Sequence, residues 1–127
     1  MKDAREWIRR ARSDLALARA ERKGVYLEDL CFHAQQAAEK AIKALLIRRG
    51  IQFPYIHDLA KLLSLLEKAA GNLPDSIRQA ERLTRFAVET RYPGTGAPVS
   101  DKKYREAVRL AGEVLRWAEQ QLKDAGR

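Results

Sequence analysis

Residues 31–49, CFHAQQAAEKAIKALLIRR, bring His33, Gln36, Lys40 and Lys43 onto one strip of a helix. At about 100° per residue these four side chains fall within an arc of roughly 80°. An imidazole, a carboxamide and two ammonium groups are the donors that meet phosphate oxygens and base edges. The chemistry they suit is recognition of an anionic, hydrogen-bonding ligand rather than bond making. The opposite side holds Leu27, Leu30, Ala34, Ala37, Ala38, Ala41, Ile42 and Leu45. A core stripe so rich in alanine lets a neighbouring helix backbone approach closely.

Two further groups carry candidate chemistry. His57 and Asp58 open a helical segment; Asp58 there suits an N-cap, and His57 is either part of that turn or a second imidazole over the same ligand. Arg91, Tyr92 and Pro93 put a guanidinium and a phenol ring on a constrained backbone, a set suited to phosphate binding and stacking on a base. The alternative is a tyrosine packed on the core and an arginine meeting the last carbonyls of a helix. Two basic rows, Arg5/Arg9/Arg12 and Arg78/Arg82/Arg85, have the spacing of helix stripes, with Glu6 and Glu81 interleaved. Such rows are either solvated faces or an RNA footprint.

Composition narrows the classes. The chain has 127 residues, 46% hydrophobic and 33% charged, with a net charge of +8. That is the size of one domain, here 1–127, and the charge favours anionic partners. No apolar run approaches the roughly 18 residues that a membrane span requires. The N-terminal MKDAREWIRRARSDL has no signal-peptide core and carries acidic residues, so a cytoplasmic location is expected. Cys31 is the only cysteine and lies on the apolar side of its helix, reading as a buried small hydrophobe. One Cys and two His cannot close a structural zinc site, and no metal or cofactor is expected. The chain contains no P-loop, no Rossmann fingerprint and no Glu-x-x-His pair of a di-iron bundle.

The elements that must position these groups are all helical. Periodicity near 3.6 predicts helices over about 3–23, the following stretch to Arg49 with Gly50 as C-cap, and Leu59 to near Gly71. A fourth begins at Pro74, and a fifth is N-capped by Ser100 or Asp101. The segment TRYPGTGAPVSD between the last two forbids a continuous helix. The expected fold is all-α, a compact up-and-down bundle of about five helices.

Taken together, Trp7, Asp14-Leu15, FHAQQAAEKAIKALL, His57-Asp58-Leu59, Arg91-Tyr92-Pro93 and the final Leu115-Arg116-Trp117-Ala118 resemble the HEPN (higher eukaryotes and prokaryotes nucleotide-binding) domain over nearly the whole chain. The resemblance implies a helical bundle, often dimeric, that works beside a small nucleotidyltransferase. It also implies ligands near the polar face of the second helix and the Arg-Tyr-Pro loop. Many HEPN proteins are ribonucleases, often toxins, marked by an Arg and a His separated by four to six residues. Here the corresponding positions before His57 are Gln52, Ile51 and Gly50, and those before His33 are Glu28, Leu27 and Tyr26. Arg49 precedes His57 by one residue too many, and no His follows Arg91.

The expectation is therefore a non-catalytic nucleotide-binding domain using His33, Gln36, Lys40, Lys43, His57, Arg91 and Tyr92, with a small nucleotidyltransferase as partner. The alternative is a HEPN ribonuclease with a non-standard or cross-dimer Arg/His site acting on RNA. Phe32 and Leu46, lying between the apolar and polar stripes, are expected to be partly uncovered in a monomer and so to predict a homodimer.

Overall fold

Ala34, Ala37, Ala38, Ala41 and Ala44 of the second helix are wholly covered, and their small size sets the architecture around them. The computed structural model describes residues 3–88 and 98–125. Helix α2 (Leu27–Arg48) lies at the centre, packed on α1 (Ala4–Ala18) and on α6 (Asp101–Ala125). Wholly covered alanines on both neighbours, Ala11 and Ala18 of α1 and Ala111 and Ala118 of α6, complete these close contacts. Trp7 meets Lys43 while Asp14 meets His33, so α1 and α2 run antiparallel. Ile42, Leu46, Leu62, Leu63 and Leu110 fill the space between helices, each contributing about 1.5–3 kcal/mol by burial.

The helix ends explain themselves. Helix α1 stops at Ala18 rather than continuing to residue 23, since residues 21–23 are all exposed and offer no apolar group to bury. The Tyr104 hydroxyl donates to the Ala18 carbonyl at 2.7 Å, satisfying one of the groups orphaned there. Burial pushes that hydroxyl's pKa up, which keeps it a donor. At the end of α2, Gly50 takes φ 71°, its N–H bonds to Ile47 O at 3.0 Å, and the Ile51 N–H bonds to Leu46 O at 2.9 Å. This is the Schellman turn, which only glycine enters without strain. It folds the connector, residues 51–58, back and leaves Leu46 wholly buried, correcting the expectation that Leu46 is partly uncovered. Helix α3 (Leu59–Ala70) is capped by Asp58, whose Oδ1 accepts from Ala60 N at 3.0 Å.

The fourth element is not one continuous α-helix. It begins after Pro74 as α4 (Asp75–Arg78), becomes a 3₁₀ turn over Gln79–Thr84, and resumes as α5 (Arg85–Val88). Four of its buried residues, Ile77, Ala80, Leu83 and Phe86, are spaced by three, with Ala87 buried beside the last. An α-helix would spread them around its surface, whereas three residues per turn keeps them on one face. Helix α6 is capped by Ser100, whose Oγ accepts from Lys103 N at 3.1 Å. The described residues are helices, turns and connectors with no strand, an all-α bundle as expected.

Candidate functional site

Helix α2 carries two clusters, each built from one carboxylate, one imidazole and one ammonium. On the α1 side, Asp14 sits in the buried register of α1 beside Ala11, Leu15 and Ala18. A carboxylate placed there needs partners, and α2 supplies two. Lys40 Nζ donates to Asp14 Oδ2 at 2.5 Å, and His33 Nδ1 lies 3.1 Å from Oδ1. A carboxylate accepts only, so His33 Nδ1 carries the proton. The geometry of the ring then turns Nε2 away from Asp14. The His33 side chain is one-third exposed, so that edge reaches solvent.

On the other side Glu39 is the hub. Its Oε1 takes Gln35 Nε2 at 3.0 Å and His57 Nδ1 at 2.8 Å, and its Oε2 takes Lys43 Nζ at 2.9 Å. Gln35 Nε2 also reaches the His57 carbonyl at 3.3 Å, which fixes the connector against α2. The ammonium of Lys43 lies 5.8 Å from the Trp7 ring centroid, 5.5 Å from Phe53 and 5.6 Å from Tyr55. Two partly buried rings, Trp7 and Phe53, and a carboxylate thus flank one cation, with the exposed Tyr55 ring beyond, an aromatic box filled by the protein's own lysine.

Gln36 extends the Glu39 cluster around the helix. It lies between Lys40 and Lys43 around the helix, and its Nε2 donates to Gln35 Oε1 at 2.8 Å. The polar ridge along α2 thus has two parts, Asp14, His33 and Lys40 on one flank and Gln35, Gln36, Glu39 and His57 on the other. Tyr55, 93% exposed, stands edge-on to the His57 ring at 6.1 Å. The outward groups of this ridge are two imidazole edges, the flank of Lys40 and a carboxamide. They suit an oxyanion that also accepts or donates hydrogen bonds.

Of the expected site residues, His33, Gln36 and Lys40 share the open strip, while His57 comes from the connector to Glu39 and Gln35. Lys43 does not. Its side chain is 5% exposed against 27% for Lys40, because connector and α1 close over it. The Glu39–Lys43 pair is likewise a buried hub rather than an ordinary surface ion pair. Arg91 and Tyr92 lie outside the described residues. Asp14, Gln35, Glu39 and Tyr55 were not among the expected site residues. For Asp14 a signal existed, a carboxylate in the apolar register of α1. Cys31 is buried as expected, and burial pushes its thiol up to about 12. Among the described residues no cluster of His, Cys, Asp and Glu has the arrangement of a metal site. No helix among them is long and apolar enough to cross a membrane.

Comparison with known proteins places the fold and the family. The family model described as the HEPN domain matches residues 4–121. The crystal structure of ST0689, described as an archaeal HEPN homologue, superposes with a TM-score of 0.77 at 35% identity, covering 95% of this chain and 98% of that one. The crystal structure of TT1696 from Thermus thermophilus gives a TM-score of 0.81 at 33% identity, covering 94% and 98%. A protein named "Putative toxin MJ1304" from Methanocaldococcus jannaschii is 43% identical over 53 residues, 42% of this chain and 35% of that protein. That match therefore spans about a third of the relative's length.

Proposed function

The chain belongs to the HEPN family, and from that premise we propose that its α2 ridge binds a phosphate-bearing nucleotide without transforming it. The domain then serves as the substrate-binding or regulatory partner of a separately encoded small nucleotidyltransferase, acting as a homodimer. The observation that carries the reading is the pair of imidazoles, each held through Nδ1 by a carboxylate and each one-third exposed, His33 sharing Asp14 with Lys40 and His57 sharing Glu39 with Gln35. With Nδ1 fixed by a carboxylate, the outward Nε2 donates to a phosphate oxygen when the ring carries both protons and accepts from a ligand hydroxyl or amine when it carries one, with little reorganisation in either case. Tyr55 adds an exposed ring beside His57 on which a base can stack. Lys43, engaged in its box, has no part in the contact.

Calorimetric titration with ATP tests this. The parent protein is expected to bind, and His33→Ala to weaken binding roughly tenfold or more, since a charge-assisted contact contributes about 1.5–3 kcal/mol. Arg5→Ala, on the outer face of α1, is expected to leave affinity unchanged. No binding by the parent, or equal losses at both positions, sinks the proposal.

One observation favours a second reading, a ribonuclease. A carboxylate behind an imidazole is the arrangement of a general acid or base, and Asp14–His33 and Glu39–His57 both have it. The name of the MJ1304 protein agrees with this alternative. The absent Arg-to-His spacing opposes it. Incubation with single-stranded RNA separates the two: cleavage above a blank, abolished by His33→Ala or His57→Ala, makes the chain an enzyme.

A further inference from the structure

A carboxamide has a donor end and an acceptor end, and the groups it meets decide which way round it sits. On α2 two carboxamides are linked in series. Gln35 is wholly buried, and one end of its amide reaches Glu39 Oε1 at 3.0 Å and the His57 carbonyl at 3.3 Å. A carboxylate and a backbone carbonyl only accept, so that end is the nitrogen and Gln35 Oε1 faces the other way. There it accepts from Gln36 Nε2 at 2.8 Å. Gln36 is thereby oriented in turn, with its nitrogen held inward and its carbonyl oxygen left outward. No donor among the described residues reaches that oxygen, and it is open to solvent.

The place of Gln36 decides what meets this acceptor. Around α2 it lies between Lys40 and Glu39, and so between the two flanks of the ridge. On one flank His33 and Lys40 surround Asp14 and carry the groups suited to phosphate. On the other, the exposed Tyr55 ring stands beside His57 and offers a face to a base. A bare carbonyl oxygen between them repels a phosphate oxygen and favours a donor. A nucleotide laid across both flanks brings its sugar over Gln36, and the donors of a sugar are its hydroxyls.

We propose that Gln36 Oε1 accepts a hydrogen bond from a ribose hydroxyl, which makes the ridge selective for ribonucleotides, and that Gln35 is the positioning residue that holds this oxygen outward. The inference rests on the nucleotide-binding reading of the ridge and adds the sugar to it. Without Gln35 the Gln36 amide is free to turn over and present N–H instead.

The test is calorimetric titration of the full chain with ATP, 2′-deoxy-ATP, 3′-deoxy-ATP and ITP. One of the two deoxy forms is expected to bind roughly three- to tenfold more weakly than ATP, the worth of one neutral hydrogen bond. ITP, which keeps the ribose and lacks the base amine, is expected to match ATP. Gln36→Leu should bring the ratio of ATP to deoxy-ATP affinity to about one, and Gln35→Met should narrow it, a ratio that a loss of stability alone does not move. Should Gln35→Met unfold, Gln36→Leu carries the test, since Gln36 lies at the edge of the core rather than within it. Equal affinity for ATP and both deoxy forms, with His33→Ala still weakening ATP, overturns the proposal and leaves the ridge reading standing. So does a sugar preference that survives Gln36→Leu. A loss confined to ITP assigns the oxygen to a base amine and overturns the hydroxyl. Absence of ATP binding by the parent protein removes both readings.

Discussion

The carboxylates of Asp14 and Glu39 each take one imidazole Nδ1 and one lysine ammonium, yet the Asp14 lysine is reached from solvent and the Glu39 lysine is not. Lys40 comes to Asp14 across a helix pair and keeps one flank open. Lys43 meets Glu39 within one helix and is then covered by Trp7 and Phe53. The same three chemical groups thus serve two ends. Where water still reaches the cation, the cluster is available to a ligand. Where aromatic rings replace water, the cation becomes a fastening between α1, α2 and the connector.

The largest expected effect follows from that difference. Glu39→Ala leaves the Lys43 ammonium buried with no carboxylate, and breaking a buried pair by removing one partner costs about 3–5 kcal/mol. The melting temperature should fall on the order of 10 °C or more. Scanning calorimetry checks this, and a shift of only a degree or two would mean that Lys43 swings out to water.

Asp14→Ala should cost less, about 1–2 kcal/mol, because His33 and Lys40 are partly exposed and can be hydrated in its absence. Urea melts of the two alanine variants side by side give the contrast directly. Equal losses would erase the distinction between the clusters.

His33→Ala should lower stability by under about 1 kcal/mol, since Asp14 keeps its bond to Lys40. The smallest effect concerns Cys31. With its pKa raised to about 12 by burial, the thiol is almost wholly protonated at pH 8. A maleimide should leave the folded protein unlabelled there and label it once Glu39→Ala loosens the core.

Periodicity made the helices and the covered face of α2 legible, because apolar spacing reports one helix against its surroundings. It placed Lys43 on the open strip for the same reason. A helical wheel knows the direction of a side chain but not that Phe53, on a connector without period, will fold over it. Asp14 was readable in principle, standing where α1 otherwise carries Ala11, Leu15 and Ala18. Its partners were not, since they come from residues 19 and 26 positions away. The winding of residues 75–88 was also written in the chain, in the three-residue spacing of Ile77, Ala80, Leu83 and Phe86, but a search for a period of 3.6 passes over it.

The most direct measurement of the central claim uses the two imidazoles. His33 and His57 are the only histidines in the chain, so a nitrogen-detected histidine spectrum contains two ring systems, assignable with His33→Gln and His57→Gln. On titration with ATP, both Nε2 resonances are expected to move saturably while the Nδ1 resonances, held by Asp14 and Glu39, move little. The Lys43 ammonium should stay unchanged throughout. Nε2 resonances that remain fixed at saturating ATP, or a Lys43 signal that shifts first, would contradict the assignment of the open cluster to the ligand and the closed one to the fold.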